Sequence, residues 1–198
     1  RHGRDVDMIT APRSTGSIMK PFLYAGLLST GVLLPNALVP DIPTRFQGFR
    51  PENADFSYSG AVPAGDALAR SLNIPAVRML QMYEEERFLS LLRSMGFTTF
   101  TKPASHYGLS LILGGGEATL WELASAYASM ARVLTNNRHS DIQSDVTSDR
   151  KTAEPQDLRT AGLQDRKTEE LQDRRTLSPA AIWLTYEALR RVNRPETE

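Results

Sequence analysis

The sequence predicts an α+β fold in which helices far outnumber strands, and three observations carry that reading. Apolar residues recur at three- and four-residue intervals through most of the chain, the period of a helix with one buried face. Strand-like signals are few, confined to alternation at residues 56–59 and a short apolar run at 109–113. With 198 residues, 40% of them hydrophobic, the chain is long enough to bury one core, and it has no cysteine with which to staple a smaller one.

The elements follow in order. Pro21 has no N–H to give to the carbonyl of Ser17, so the first helix starts near Ser17, with Leu23, Leu27 and Leu28 on its apolar side. The uncharged run 21–40 has the length of a membrane span, but Gly31, Pro35 and Asn36 interrupt it, which favours a buried helix followed by a loop. A second helix falls between Pro63 and Ser71. A third begins near Pro75, whose fixed φ suits a first turn, and runs through Val77, Leu80 and Tyr83. The stretch that follows carries Phe88, Leu91, Leu92 and Met95 and stops at Gly96.

Gly114, Gly115 and Gly116 predict a tight turn. A phosphate cradle would need Lys-Ser or Lys-Thr behind them, and none follows. Thr119 and Glu122 then form a capping box ahead of a helix with Leu120, Leu123, Tyr127, Ala131 and Leu134 at helical spacing. Ser178 and Pro179 open a last helix with Ile182, Tyr186 and Leu189 turned inward.

Residues 138–176 differ in kind. From Asp145 they fall into octads, DVTSDRKT, AEPQDLRT, AGLQDRKT and EELQDRRT, with Asp at 149, 157, 165 and 173 and Thr at 152, 160, 168 and 176. Only 7 of these 39 residues are apolar, too few to offset the chain entropy of ordering them. An eight-residue period matches neither helix nor strand. The expected organisation is therefore a folded part at 1–137, a disordered low-complexity insert at 138–176, and a return to the fold at 177–198.

Charge narrows the function classes. Lys plus Arg and Asp plus Glu both number 23, which argues against nucleic acid as a partner. His2, His106 and His139 show no ligand spacing, and without cysteine no thiolate zinc site can form, so neither a metal nor another cofactor is expected. The chain begins at Arg1 with no leader pattern, which reads as a piece of a longer protein.

One constellation carries chemistry. Ser17 and Lys20, three residues apart at a helix start, share one face one turn apart. The unpaired N–H groups of that turn would stabilise an oxyanion forming at Ser17. The apolar helix behind would desolvate Lys20 and lower its pKa toward that of a base. The same spacing recurs at Ser148 and Lys151, inside the octads, where no core would desolvate the lysine. Downstream, Ser71-Leu72-Asn73 lies between two helices, where a loop can aim a hydroxyl and an amide into a cleft. The plainer alternative is that Asn73 or Ile74 caps the helix at Pro75 and Ser71 merely fills the last turn before it.

Ser-x-x-Lys with a downstream Ser-x-Asn makes two of the three signatures of penicillin-binding proteins and serine β-lactamases. The similarity extends to residues 11–24, Arg50-Pro-Glu-Asn53, residues 67–77, Leu113-Gly-Gly-Gly-Glu117 and residues 122–127. Together these resemble the transpeptidase domain of bifunctional penicillin-binding proteins, the 1C type in particular. The resemblance implies the β-lactamase/penicillin-binding transpeptidase-like fold, here mainly its nucleophile helix and helical lobe. It implies a D,D-transpeptidase that crosslinks peptidoglycan stem peptides through a serine acyl-enzyme and is the target of β-lactams. Ser17 would be the nucleophile and Lys20 its base. Ser71 would relay a proton to the leaving amine, and Asn73 would bind the substrate amide and steady Lys20.

The same resemblance implies a place on the periplasmic side of the bacterial cytoplasmic membrane, held by an anchor outside this chain, with stem peptides, β-lactams and other cell-wall synthesis proteins as partners. The third signature, Lys-Thr-Gly or Lys-Ser-Gly, is missing: Lys151-Thr152 runs into Ala153, and Lys167-Thr168 into Glu169. That implies weak or no acylation by these 198 residues alone. The competing readings are a D,D-carboxypeptidase or β-lactamase-like hydrolase with Glu117 or Glu122 as a water-activating base, and a non-catalytic β-lactam sensor or cell-wall scaffold.

Overall fold

The computed structural model describes residues 8–46, 48–148 and 177–192, without the side chains of 138–148. Its centre is one buried helix, and the turn that leads into it follows from Pro21. Because Pro21 cannot donate to the Ser17 carbonyl, the Lys20 N–H takes it instead, at the three-residue spacing of a 3-10 turn. That turn, Gly16–Met19, leads directly into α1, Lys20–Ser29, whose residues from Lys20 to Leu27 are all buried.

Helices surround α1. They are α2 (Ala64–Ala69), α3 (Asn73–Tyr83), α4 (Glu85–Ser94) and the last helix, α7 (Pro179–Leu189), all of which contact it. The contact with α3 and α4 is close because residue 26 is glycine: a Cβ there would lie 2.9 Å from the Tyr83 ring and 3.0 Å from Leu91. The short helix α5 (Ala104–Tyr107) and a 3-10 helix, Gly108–Leu113, lead to the glycine turn and then to α6, Leu120–Ser148. Two small antiparallel pairs complete the fold. β1 (Arg13–Ser14) joins β4 (Glu117–Ala118), and β2 (Leu38–Asp41) joins β3 (Gly60–Pro63), with Asp41 opposite Gly60.

Several expectations are corrected. The strand expected at 56–59 begins instead at Gly60, because local hydrogen bonds claim the earlier residues. Phe56 N–H donates to the Asn53 carbonyl at 3.0 Å, Ser57 N–H donates to Asp55 Oδ1 at 3.1 Å, and Phe56 has φ +55°. The run 109–113 is a 3-10 helix, stopped by Gly114 at φ +102°. Strand β2 forms despite Pro40, a residue that a two-stranded ribbon tolerates because each strand has an open edge.

In α6, Leu120 and Ala131 face solvent, Leu120 at 58% exposure. The inward face is led by Ala126 and Met130, flanked by Leu123, Tyr127, Val133 and Leu134. The expected boundary at 138 falls within this helix, whose backbone continues to Ser148. Once a helix is nucleated on a packed turn, each further residue costs little to add, even a polar one. The rest of the expected insert, 149–176, lies outside the described residues. Helix α7 starts at Ser178, whose Oγ accepts from Ala181 N–H at 3.2 Å. Ile182 is buried, while Tyr186 and Leu189 are half-buried against the core. Among the described residues no helix is long and apolar enough to cross a membrane.

Candidate active site

Ser17 sits exposed on the 3-10 turn, and its neighbours are pinned from the glycine side. Thr15 donates its N–H to the Gly116 carbonyl at 3.1 Å and its hydroxyl to the same oxygen at 3.3 Å. Ser14 Oγ donates to the Gly114 carbonyl at 2.8 Å. A Cβ on Gly114 would stand 2.9 Å from the Gly16 nitrogen, so the glycine turn allows two backbones to meet next to Ser17. From the other side Tyr127 Oη donates to the Ile18 carbonyl at 3.1 Å, and Met19 is fully buried beneath. Among the described residues the exposed Ser17 hydroxyl makes no hydrogen bond.

Lys20 follows one turn later with only 2% exposure. Its Nζ donates to the Ser71 carbonyl at 2.7 Å, to Asn73 Oδ1 at 2.8 Å and to Ser71 Oγ at 3.2 Å. Burial pushes its pKa down from 10.5 to about 8, because desolvation penalises the ammonium. The structure thus brings Ser71 and Asn73 onto Lys20 from more than fifty residues away in sequence.

The backbone of Ser71 explains its aim. Leu72 N–H bonds the Ala67 carbonyl at 3.0 Å and Ser71 N–H bonds the Leu68 carbonyl at 2.9 Å, the paired bonds of a Schellman motif that ends α2. Leu72 and Ala67 close it with a shared apolar cluster. The motif needs a left-handed residue at Ser71, which has φ +54°, where glycine is the usual choice. A serine there accepts backbone strain and holds a hydroxyl next to Lys20.

Asn73 is the first residue of α3 and does not cap its own helix; the cap residue, Leu72, provides no side-chain bond. Its Oδ1 accepts from Lys20, and its Nδ2 donates to the Glu52 carbonyl at 2.7 Å. The helix is capped from elsewhere. Asn53 Oδ1 accepts Asn73 N–H at 2.9 Å and Ile74 N–H at 3.4 Å. Sequence reasoning used Asn53 only as part of a resemblance and gave Asp41, its partner, no role. A cap supplied twenty residues upstream leaves no local spacing signal.

Residues 4–197 match the penicillin binding protein transpeptidase domain family. The chain belongs to that family. It is 42% identical over 127 residues to penicillin-binding protein 1C of Escherichia coli K12, a match covering 64% of this chain and 16% of that protein. It is 34% identical over 130 residues to penicillin-binding protein 1A of Neisseria meningitidis, covering 62% of this chain and again 16% of the relative. The transpeptidase domain chain thus spans about 16% of the length of these relatives. Among solved structures, the transpeptidase domain of Burkholderia pseudomallei penicillin-binding protein 3 superposes with TM-score 0.65 at 19% identity, over 95% of this chain and 56% of that one, a likeness of fold. Penicillin-binding protein 1A of Haemophilus influenzae has TM-score 0.56 at 28% identity, covering 64% and 19% of the two chains.

Glu122, one of the two carboxylates considered above as a water-activating base, is fully engaged. Its oxygens accept from the N–H and hydroxyl of Thr98, of Thr99 and of Thr119, at 2.6–3.1 Å. Burial raises its pKa, but these bonds outweigh burial and hold it at about 2. The expected capping box is present: Glu122 N–H donates back to Thr119 Oγ1 at 3.1 Å. Glu117 is exposed on β4, opposite Ser14. His106 is exposed too, and among the described residues no cluster of His, Asp and Glu could hold a metal ion.

Proposed function

We propose that this transpeptidase domain is a D,D-transpeptidase that joins peptidoglycan stem peptides through a serine ester, and that β-lactams acylate the same serine. The observation that carries the reading is the clasp of Lys20 by Ser71 and Asn73, which places a lowered-pKa amine one turn from an exposed serine. In its ammonium form Lys20 fills all three acceptors. The neutral amine donates only two hydrogen bonds and keeps a lone pair for a proton.

Ser17 Oγ gives its proton to the neutral Lys20 and attacks the carbonyl of the penultimate D-alanine. The N–H of Ser17, at the head of the turn, is one donor to the oxyanion. As the C–N bond breaks, a proton passes from Lys20 through Ser71 Oγ to the leaving D-alanine amine. An acceptor amine then attacks the ester while its proton returns by the same route, and Ser17 is freed. Asn73 fixes Lys20 with Oδ1.

The relatives are named for penicillin binding, which supports β-lactams as ligands; a place in the bacterial cell envelope and stem peptides as substrates belong to the same proposal. Replacing Ser17→Ala in the complete natural protein abolishes covalent labelling by a fluorescent penicillin; labelling that survives would remove Ser17 as nucleophile. If crosslinking in cell-wall digests persists in that variant, the scaffold reading replaces the enzyme. The 198-residue chain alone labels slowly, since it contains no Lys-Thr-Gly or Lys-Ser-Gly, and rapid stoichiometric labelling would contradict that. The hydrolase reading needs a free carboxylate base; Glu122 has its oxygens taken by Thr98, Thr99 and Thr119, which leaves that reading only the exposed Glu117. Product analysis with and without an added amine acceptor separates transfer from hydrolysis.

A further inference from the structure

Behind the Ser71–Asn73 segment lies a buried polar pair to which the reaction assigns nothing. Asp41, at the end of β2, is fully buried, and Asn53 is 2% exposed. Asn53 Nδ2 donates to Asp41 Oδ1 at 2.7 Å and to the Ser57 carbonyl at 2.8 Å. Asp41 Oδ2 accepts from Ser59 N–H at 2.9 Å. A carboxylate only accepts, so Asp41 obliges Asn53 to present its NH₂ group, which turns the amide oxygen toward α3. That oxygen takes the N–H of Asn73 and, at longer range, of Ile74. The chain of bonds therefore runs from Asp41 through Asn53 to the backbone of Asn73, and from the Asn73 side chain to Lys20 Nζ.

We propose that Asn53, oriented by Asp41, is a positioning residue for acylation. It fixes the first turn of α3, and with it the acceptors that hold Lys20 in place beside Ser17. The segment needs such a hold from outside, because the left-handed backbone of Ser71 is strained and α3 has no side-chain cap of its own. Burying a carboxylate without a cation is costly. Here Asp41 accepts one hydrogen bond from Asn53 and one from Ser59 N–H, and Asn53 Oδ1 ties the pair to the first turn of α3. The inference rests on the acyl-enzyme reading above, and the test separates the two.

The test is the rate constant and the stoichiometry of labelling by a fluorescent penicillin, measured on the complete natural protein. Asn53→Ala lowers the rate constant by about tenfold to a hundredfold, the range seen when a supporting hydrogen bond behind a reactive group is removed. Labelling at saturation still reaches one per folded molecule. A purely structural role would lower the labelled fraction and the melting temperature and leave the rate constant of the surviving molecules at its parent value, which would overturn the proposal.

Asp41→Asn keeps size and shape and guards against a variant that fails to fold. It removes the acceptor-only group that sets the Asn53 amide, and the rate constant falls several-fold. Combining Asp41→Asn with Asn53→Asp restores an amide-to-carboxylate bond with an acceptor facing α3, and recovers part of the loss seen in Asn53→Asp alone. An unchanged rate constant in Asp41→Asn, or no recovery in the double variant, also counts against the proposal. Labelling that survives Ser17→Ala removes both this inference and the acyl-enzyme reading. Loss of labelling in Ser17→Ala with an unaltered rate in Asn53→Ala removes this inference alone.

Discussion

Lys20, at 2% exposure, and Glu122, at 9%, are both buried charged side chains, and they have opposite fates. Glu122 receives hydrogen bonds from three threonines, so its charged form outlasts burial and its pKa falls to about 2. Lys20 has three acceptors as well, but all are neutral oxygens; burial wins, and its pKa falls to about 8. The first group stays ionised across the physiological range and holds α6 to the Thr98–Thr99 segment. The second is poised to exchange a proton near neutrality, the property a base requires. Burial alone does not mark a functional charge; the balance between burial and hydrogen bonding does.

The contrast can be broken at either end, and the largest effect is expected at Lys20. Lys20→Met in the complete natural protein slows penicillin acylation by about 10²–10⁴-fold, the usual contribution of a positioned base. The parent's acylation rate rises with pH through about 8 as Lys20 loses its proton, and no such rise remains in the variant.

Stability follows the same group with a definite sign. The folded pKa is depressed from 10.5, so below about 8 the folded state carries the full cost of a desolvated ammonium. Between about 8 and 10.5 the native state has released a proton that the unfolded chain still holds, so stability rises with pH. The rise is about 3 kcal/mol by linkage, and it should vanish in Lys20→Met when unfolding is compared across that window. A rise that persists would place the titration elsewhere.

Glu122→Gln is the intermediate case. The variant keeps the shape of the cap and loses charge-assisted bonds, costing about 1–3 kcal/mol in denaturant unfolding, with the rate constant of acylation unchanged. The depressed folded pKa means that this stabilisation is present above about 4.5 and is lost as pH falls through about 2, the reverse of the Lys20 window. A slowed acylation rate with unaltered stability would transfer Glu122 from the cap to the chemistry.

What the sequence made legible divides along similar lines. Ser17 and Lys20 could be placed at a helix start because Pro21 is a local, covalent constraint; that the turn is 3-10 follows from the same missing N–H. The capping box at Thr119 and Glu122 was readable because both partners lie within four residues. Asn53 and Asp41 were not, since their roles depend on β2, the 53–57 turn and α3 coming together. Nor was the inward face of α6, where Leu120 matched the period but lies at the first turn, beyond the edge of the core. Strands two residues long, such as β1 and β4, leave no periodic pattern at all.

The smallest expected effect on stability tests whether Ser71 is retained against the preference of its own backbone. Ser71→Ala and Ser71→Gly both remove the hydroxyl next to Lys20, so both slow acylation to a similar degree. They differ only in the Cβ, which at φ +54° crowds the neighbouring carbonyl. Ser71→Gly should therefore be more stable than Ser71→Ala by about 0.5–1 kcal/mol in chemical unfolding, the left-handed penalty less the greater entropy of unfolded glycine. A stabler domain with a slower reaction is the signature of a residue held for its chemistry. The opposite order, alanine the more stable of the two, would mean that the Schellman turn accommodates a side chain without strain, and that serine at this position needs no functional explanation.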